Sequence, residues 1–133
     1  MDERPRVLVV DDEQDSREFL SLLLRQAGAD VSVAPSGAAA LRILQQGGIT
    51  VLISDLTMPS MDGRDLVRQM RDNPATAQTP AIAVSAHVRP DEASAALAAG
   101  YDLHVGKPVD VAQLVTAIDA LTNIRGSRTV QTP

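Results

Sequence analysis

The chain contains no cysteine and no tryptophan, and its only large aromatic residues are one phenylalanine and one tyrosine. Without cysteine there is no disulfide framework, no thiolate metal site and no thiol nucleophile. So few aromatic rings leave no stacking platform for single-stranded nucleic acid. Positive charge is also short: the formal net charge is -5, a field that repels DNA and anionic membranes and argues against direct nucleic-acid binding. No apolar run approaches the roughly 20 residues of a membrane helix, so no membrane insertion is expected. The charged start, MDERPR, leads directly into a strand-like run and lacks the pattern of a signal peptide. A cytoplasmic location is the resulting expectation. What the chain does have is aliphatic bulk. Apolar residues make up 44% of 133 positions, enough to bury the core of one domain and too short a chain for two ordinary ones.

Two hydrophobic periods alternate along that length. Strand-like runs appear at Arg6 to Val10, Asp30 to Ala34, Thr50 to Ser54, Ala81 to Val84 and Leu103 to Val105. Helical spacing follows each one: Phe19, Leu20, Leu23, Leu24 and Ala27; then Ala40, Leu41 and Leu44; then Leu66, Val67 and Met70; then an alanine-rich stretch after Pro90; and finally Val111, Leu114, Val115, Ile118 and Leu121. Ser36 and Asp110 sit where N-caps belong, and Gly28, Gly47-Gly48 and Gly100 sit where helices stop. Strands joined by helical crossovers predict an α/β fold of five βα units, with a parallel sheet covered on both faces. The first and third strands are the most continuously apolar, which suits central places. The domain is expected over residues 1–122. The pattern dissolves after that, so 123–133 is expected to be a flexible tail or linker.

In such a sheet, ligands bind beyond the carboxyl ends of the strands. The residues found there are Asp11 and Asp12 after the first strand, Asp55 after the third, Ser85 after the fourth, and Gly106, Lys107 and Pro108 after the fifth. Taken singly they are ordinary: an Asp after a strand commonly caps a helix, and a lone lysine is commonly a solvated one. Together they form a chemical set. Three neighbouring carboxylates repel one another, and a hard divalent cation such as Mg²⁺ relieves that repulsion. A carboxylate can also act as a nucleophile and form an aspartyl phosphate. Phosphoryl transfer then needs a metal, a cation and a hydrogen-bond donor around the phosphoryl oxygens. Lys107 supplies the cation and Ser85 the donor.

The segments VLVVDDE (Val7 to Glu13), SDLTMPSMDG (Ser54 to Gly63), VSAH (Val84 to His87) and GKPVD (Gly106 to Asp110) resemble, in that order and spacing, the receiver domains of response regulators in two-component signalling. The resemblance spans Arg6 to Leu121. It implies a flavodoxin-like sheet of order 2-1-3-4-5. It implies Asp55 as phosphoacceptor, with Asp12 binding Mg²⁺ directly, Asp11 mostly through water, and the Thr57 backbone carbonyl as a further ligand. Ser85 would be the switch hydroxyl, Lys107 the partner of the phosphoryl oxygens, and Lys107-Pro108 a cis bond. Pro59 and Gly63 would shape the loop after Asp55. Thr57 and His87 occupy places that tune phosphate lifetime in the family. The family usually carries Tyr or Phe three residues before the lysine, where this chain has His104. Tyr101 lies nearby at the wrong spacing for that role.

The resemblance further implies a phosphohistidine donor, either a sensor histidine kinase or a histidine phosphotransfer protein. Read-out is expected on the face of the fourth helix, fifth strand and fifth helix, which is also the surface for a homodimer. The stretch ALAAGYDLHVGKPVD with AQLVTAI is similar to receivers fused to hybrid sensor histidine kinases, as one domain of a longer protein or a single-domain relay. Three other readings use part of the same signal. One is a Mg²⁺-dependent aspartyl-phosphate hydrolase of haloacid-dehalogenase type, whose nucleophile follows the first strand in a DxDx[TV] pattern that Asp11, Asp12 and Glu13 do not fit. Another is a receiver-like binding module that takes no phosphate, although every acid, hydroxyl and lysine needed is present. The last is a flavodoxin-like flavin binder, for which no phosphate-cradling loop is evident.

Overall fold

The computed structural model describes residues 4–58, 61–86 and 89–131, with side chains to residue 122. Five strands alternate with five helices: β1 (Arg6–Val10), α1 (Gln14–Gln26), β2 (Asp30–Ala34), α2 (Gly37–Gln45), β3 (Val51–Asp55), α3 (Gly63–Asp72), β4 (Ala81–Ser85), α4 (Pro90–Ala99), β5 (Leu103–Gly106) and α5 (Val111–Gln131). All strand pairs are parallel, and the sheet order is β2-β1-β3-β4-β5. The expected flavodoxin-like order is therefore the observed one.

The strand sequences explain the layering. Successive residues of a strand face opposite sides, and the central strands here are apolar on both. Leu8, Val10, Leu52 and Ala83 pack with Leu44, Leu66, Val67, Met70 and Ala96, which puts α2, α3 and α4 on one face. Val7, Val9, Ile53 and Val84 pack with Leu24, Leu114 and Ile118, which puts α1 and α5 on the other. Leu66, Val67 and Met70, the stripe read from the sequence, are fully buried.

Helix starts follow local chemistry. The Ser36 hydroxyl accepts the Ala39 N–H at 3.2 Å, and the Asp110 carboxylate accepts the Gln113 N–H at 3.3 Å, both as expected. Asp62 caps α3 by accepting the Arg64 N–H at 2.8 Å. Asp12 does not cap α1: the N-cap is Glu13, without a side-chain bond. One other expectation differs from the structure. Phe19, read as part of the inward stripe of α1, is 64% exposed, while Ser21 is buried. The helix rests on the sheet along Leu20, Ser21 and Leu24, and the Ser21 hydroxyl satisfies itself on the Arg17 carbonyl at 2.7 Å. The backbone of α5 continues to Gln131, through the segment expected as a tail or linker. Its apolar period ends before its hydrogen bonding does.

Candidate functional site

In the sheet order, the chain leaves β1 toward β2 on one side and returns past it to β3 on the other. The carboxyl ends of β1 and β3 therefore flank the switch point where α/β sheets bind ligands. Asp55 is the last residue of β3, and Asp11 and Asp12 directly follow β1. Each of these three carboxylates presents an oxygen within 4.8 Å of the other two. Asp11 is buried and Asp12 exposed.

Backbone bonds hold the acids in place. The Asp11 N–H donates to the Ala34 carbonyl at 3.2 Å. Its Oδ1 accepts the Glu13 N–H at 3.0 Å, and Arg17 donates to its carbonyl at 2.9 Å. Asp55 Oδ1 accepts the Thr57 N–H at 3.2 Å. That leaves Asp11 Oδ2 and Asp55 Oδ2 for Lys107, whose ammonium is 3.4 Å from each. These distances exceed the roughly 2.8 Å of a tight charge-assisted bond.

The electrostatics follow from this placement. Burial pushes the Asp55 carboxyl above its ordinary range; the Thr57 N–H and the Lys107 charge pull the other way without cancelling it, and Asp11 adds repulsion. For Lys107, burial works against the ammonium. Attraction to Asp55 and Asp11, with hydrogen bonds to both, outweighs it and raises the pKa. The site thus stores unrelieved negative charge around one fixed cation. Carboxylate oxygens clustered in this way suit a hard divalent ion.

Ser85 ends β4 and is buried. Its carbonyl accepts the Lys107 N–H at 2.9 Å, so the loop carrying Lys107 hangs from the end of β4. Lys107-Pro108 is cis. His104 pairs across the sheet with Ala83, two residues before Ser85, so His104 and Ser85 share the α4-facing side. Its Nε2 is buried and has no hydrogen-bond partner among the described residues. Thr57 is exposed. Pro59 and His87 lie outside the described residues. Gly63 is more than a turn residue: a Cβ there would stand 2.5 Å from the Asp55 carbonyl oxygen.

Beside Asp55 and Lys107 opens a hollow of about 220 Å³, walled by Phe19, Leu20, Leu23, Pro108 and Val109. Two residues went unnoticed in the sequence, or were set aside. Arg71 binds the carbonyls of Gly100 and Ala77 at 2.9–3.0 Å, donates to the Thr79 carbonyl, and pairs with Asp102 at 3.1 Å. Tyr101 donates to the Gly63 carbonyl at 2.7 Å. These are bonds to distant main chain, which no motif records.

Among the described residues no helix is long and apolar enough to cross a membrane. The model of the response regulator receiver domain matches residues 7–119. The transcriptional regulatory protein PrrA of Mycobacterium tuberculosis is 38% identical over 125 residues, covering 92% of this chain but only 52% of PrrA. The sensor histidine kinase GacS of Pseudomonas protegens is 33% identical over 117 residues, covering 86% of this chain and 13% of GacS. A solved structure of a putative response regulator from Chloroflexus aurantiacus superposes with a TM-score of 0.86 at 30% identity, covering 91% of this chain and 99% of that one. The chain spans about half of PrrA and a small part of GacS, so its likeness to both is confined to one shared domain. The chain belongs to the response regulator receiver domain family, the phosphoacceptor module of two-component signalling.

Proposed function

We propose that this domain takes a phosphoryl group from a phosphohistidine onto Asp55. The observation that carries the reading is the place of the Asp55 carboxylate: 3.4 Å from the Lys107 ammonium and within 4.8 Å of the two Asp oxygens beyond β1. In the transfer the P–N bond to the donor imidazole breaks and a P–O bond to an Asp55 carboxylate oxygen forms. Lys107 holds one phosphoryl oxygen, and Ser85 turns its hydroxyl toward another. Asp11, Asp12, Asp55 and the Thr57 carbonyl would hold Mg²⁺. When bound, that ion neutralises charge on the phosphoryl oxygens and between the acids. On this reading the domain is a signalling switch that receives the phosphoryl group on its own carboxylate, not an enzyme acting on external substrates. Asp55 closes the third strand, away from the place after the first strand that a haloacid-dehalogenase nucleophile takes.

The donor, a sensor histidine kinase or a histidine phosphotransfer protein, reaches Asp55 over the apolar hollow between α1 and the loop after β5. Phe19 is exposed at its rim. This docking takes place in the cytoplasm and uses no nucleic acid. Phosphorylation is read on the face of α4, β5 and α5, where Leu97 and Leu103 stand exposed as contacts for an output partner or a second copy.

Incubation with Mg²⁺ and acetyl phosphate, followed by mapping of the label, tests the assignment. Label is expected on Asp55 and absent from Asp55→Ala. Undiminished label in that variant would overturn it.

A further inference from the structure

Tyr101 precedes β5, at the end of the sheet away from the acids. It is the sole tyrosine of the chain. The residue is buried, and its ring belongs to the core layer of Leu66, Val67, Ala83, Ala96 and Ala99. The small side chains of β4 and α4 leave room for it. Burial pushes the phenol above its usual range, so it stays neutral and donates.

What it donates to is the first residue of α3. The phenol meets the Gly63 carbonyl at 2.7 Å. Gly63 in turn abuts the phosphoacceptor's own main chain. Its N–H donates to the Leu56 carbonyl at 2.9 Å, and a Cβ on it would lie 2.5 Å from the Asp55 carbonyl oxygen and 2.8 Å from the Leu56 Cα. The Ser54 hydroxyl, which donates to the Asp55 carbonyl at 2.9 Å, lies beside the phenol.

The neighbours of Tyr101 are fixed as well. Arg71, near the far end of α3, donates to the Gly100 carbonyl at 2.9 and 3.0 Å and to the Asp102 carboxylate at 3.1 Å. Gly100 has a φ of +132°, and a Cβ there would lie 3.0 Å from the Arg71 stem. The tripeptide 100–102 therefore grips α3 at both ends.

We propose that Tyr101 is a positioning residue for phosphoryl transfer, its phenol pinning the start of α3 against the backbone of Asp55 and so aiming the carboxylate at Lys107. This rests on Asp55 being the phosphoacceptor. Loss of the hydroxyl frees the loop after Asp55 while the ring still fills the core. Proximity effects make catalysis sensitive to displacements well under an ångström or two.

The test compares the parent protein, Tyr101→Phe and Val67→Ala in phosphorylation by acetyl phosphate with saturating Mg²⁺. The maximal rate should fall roughly fivefold or more in Tyr101→Phe, with Mg²⁺ affinity and the half-saturating donor concentration within about twofold of the parent. Val67→Ala, which thins the same core layer, should keep the parent's maximal rate. With one tyrosine and no tryptophan, intrinsic emission reports Tyr101 alone. Emission of the parent should change when beryllofluoride and Mg²⁺ are added, and should not change in Asp55→Asn. An unchanged maximal rate in Tyr101→Phe overturns the proposal. So does equal slowing in Val67→Ala, or parent emission indifferent to beryllofluoride while Asp55 accepts label. Should Tyr101→Phe not fold, the emission experiment on the parent decides alone. Absence of label from the parent overturns the Asp55 reading itself, and this one with it.

Discussion

The Lys107 ammonium stands 3.4 Å from the Asp55 carboxylate, and the same ammonium is equally far from Asp11. One cation is thus divided between two carboxylates, with Asp12 also close. Three acids against one lysine leave two negative charges, which a single divalent ion would neutralise. The backbone of Lys107 is tied to the Ser85 carbonyl, so the charge balance at the site and the conformation of the β4 end are mechanically joined.

Metal affinity should depend on Asp12 and not on Lys107. Asp12→Ala is expected to weaken Mg²⁺ binding by at least about tenfold, since even outer partners of a metal commonly cost that much. Lys107→Ala should bind Mg²⁺ as well as the parent or more tightly, because a nearby cation is gone. Calorimetric titration measures both. Equal affinity in the parent and Asp12→Ala would exclude the acids as the ion site.

The metal-free protein should gain stability from Asp55→Asn at neutral pH. Burial raises the Asp55 pKa in the folded state. The folded form therefore binds that proton more tightly than the unfolded one, and stability falls as pH rises from about 4 through the folded value. The gain from Asp55→Asn should shrink as pH drops below about 4, where both states are protonated. Lys107 gives a slope of the same sign at higher pH. Its pKa is also raised, so its stabilising contribution is complete below about pH 10.4 and is lost as pH climbs through the folded value. Urea midpoints in chelator at pH 7 and pH 4 measure the first effect. Saturating the parent with Mg²⁺ at a hundred times its dissociation constant should add about 2.7 kcal/mol.

His104 buries a ring nitrogen with no partner among the described residues. His104→Phe removes that polar atom and keeps the ring, so stability should rise by about 1 kcal/mol. Beryllofluoride should still shift amide resonances from Pro90 to Leu121 in that variant. In His104→Ala those distant changes should collapse to the surroundings of Asp55. Identical distant changes in parent and His104→Ala would separate the read-out face from this side chain.

Arg71→Ala should cost roughly 2 kcal/mol. It strips donors from the carbonyls of Gly100, Ala77 and Thr79 and leaves Asp102 without this partner. Arg71→Lys should recover little, because an ammonium cannot reproduce the fork of the guanidinium. Chemical denaturation checks both variants.

Much of this architecture is readable in one sequence because each strand and helix carries its own period. Val7 to Val10 and Val51 to Ile53 are apolar at every position, and they are buried on both faces. The acids stand out for the converse reason: they interrupt the apolar runs at strand ends. Asp55 and Ser85 were placed just past their strands and are instead the final residues of β3 and β4, since the ladder extends one pair further. What the sequence concealed are contacts without a period. Arg71 and Tyr101 act on backbone carbonyls 29 and 38 positions away, and a carbonyl has no letter. The outward turn of Phe19 was hidden by its neighbours, because Phe19 and Leu20 both fit the helical spacing and only packing chooses between them.

The sheet order has a practical corollary. Asp11 and Lys107 meet although 96 positions separate them, and Asp55 and Ser85 reach the same edge from two further strands. No fragment short of nearly the whole domain can assemble the constellation. The pocket is consequently a gauge of intactness. Any lesion that lets one strand slip, however far from the acids, should register as lost chemistry. A preparation's capacity to accept phosphate therefore counts its fully folded molecules, and damage at the opposite edge of the sheet will look, in that assay, like damage to the site.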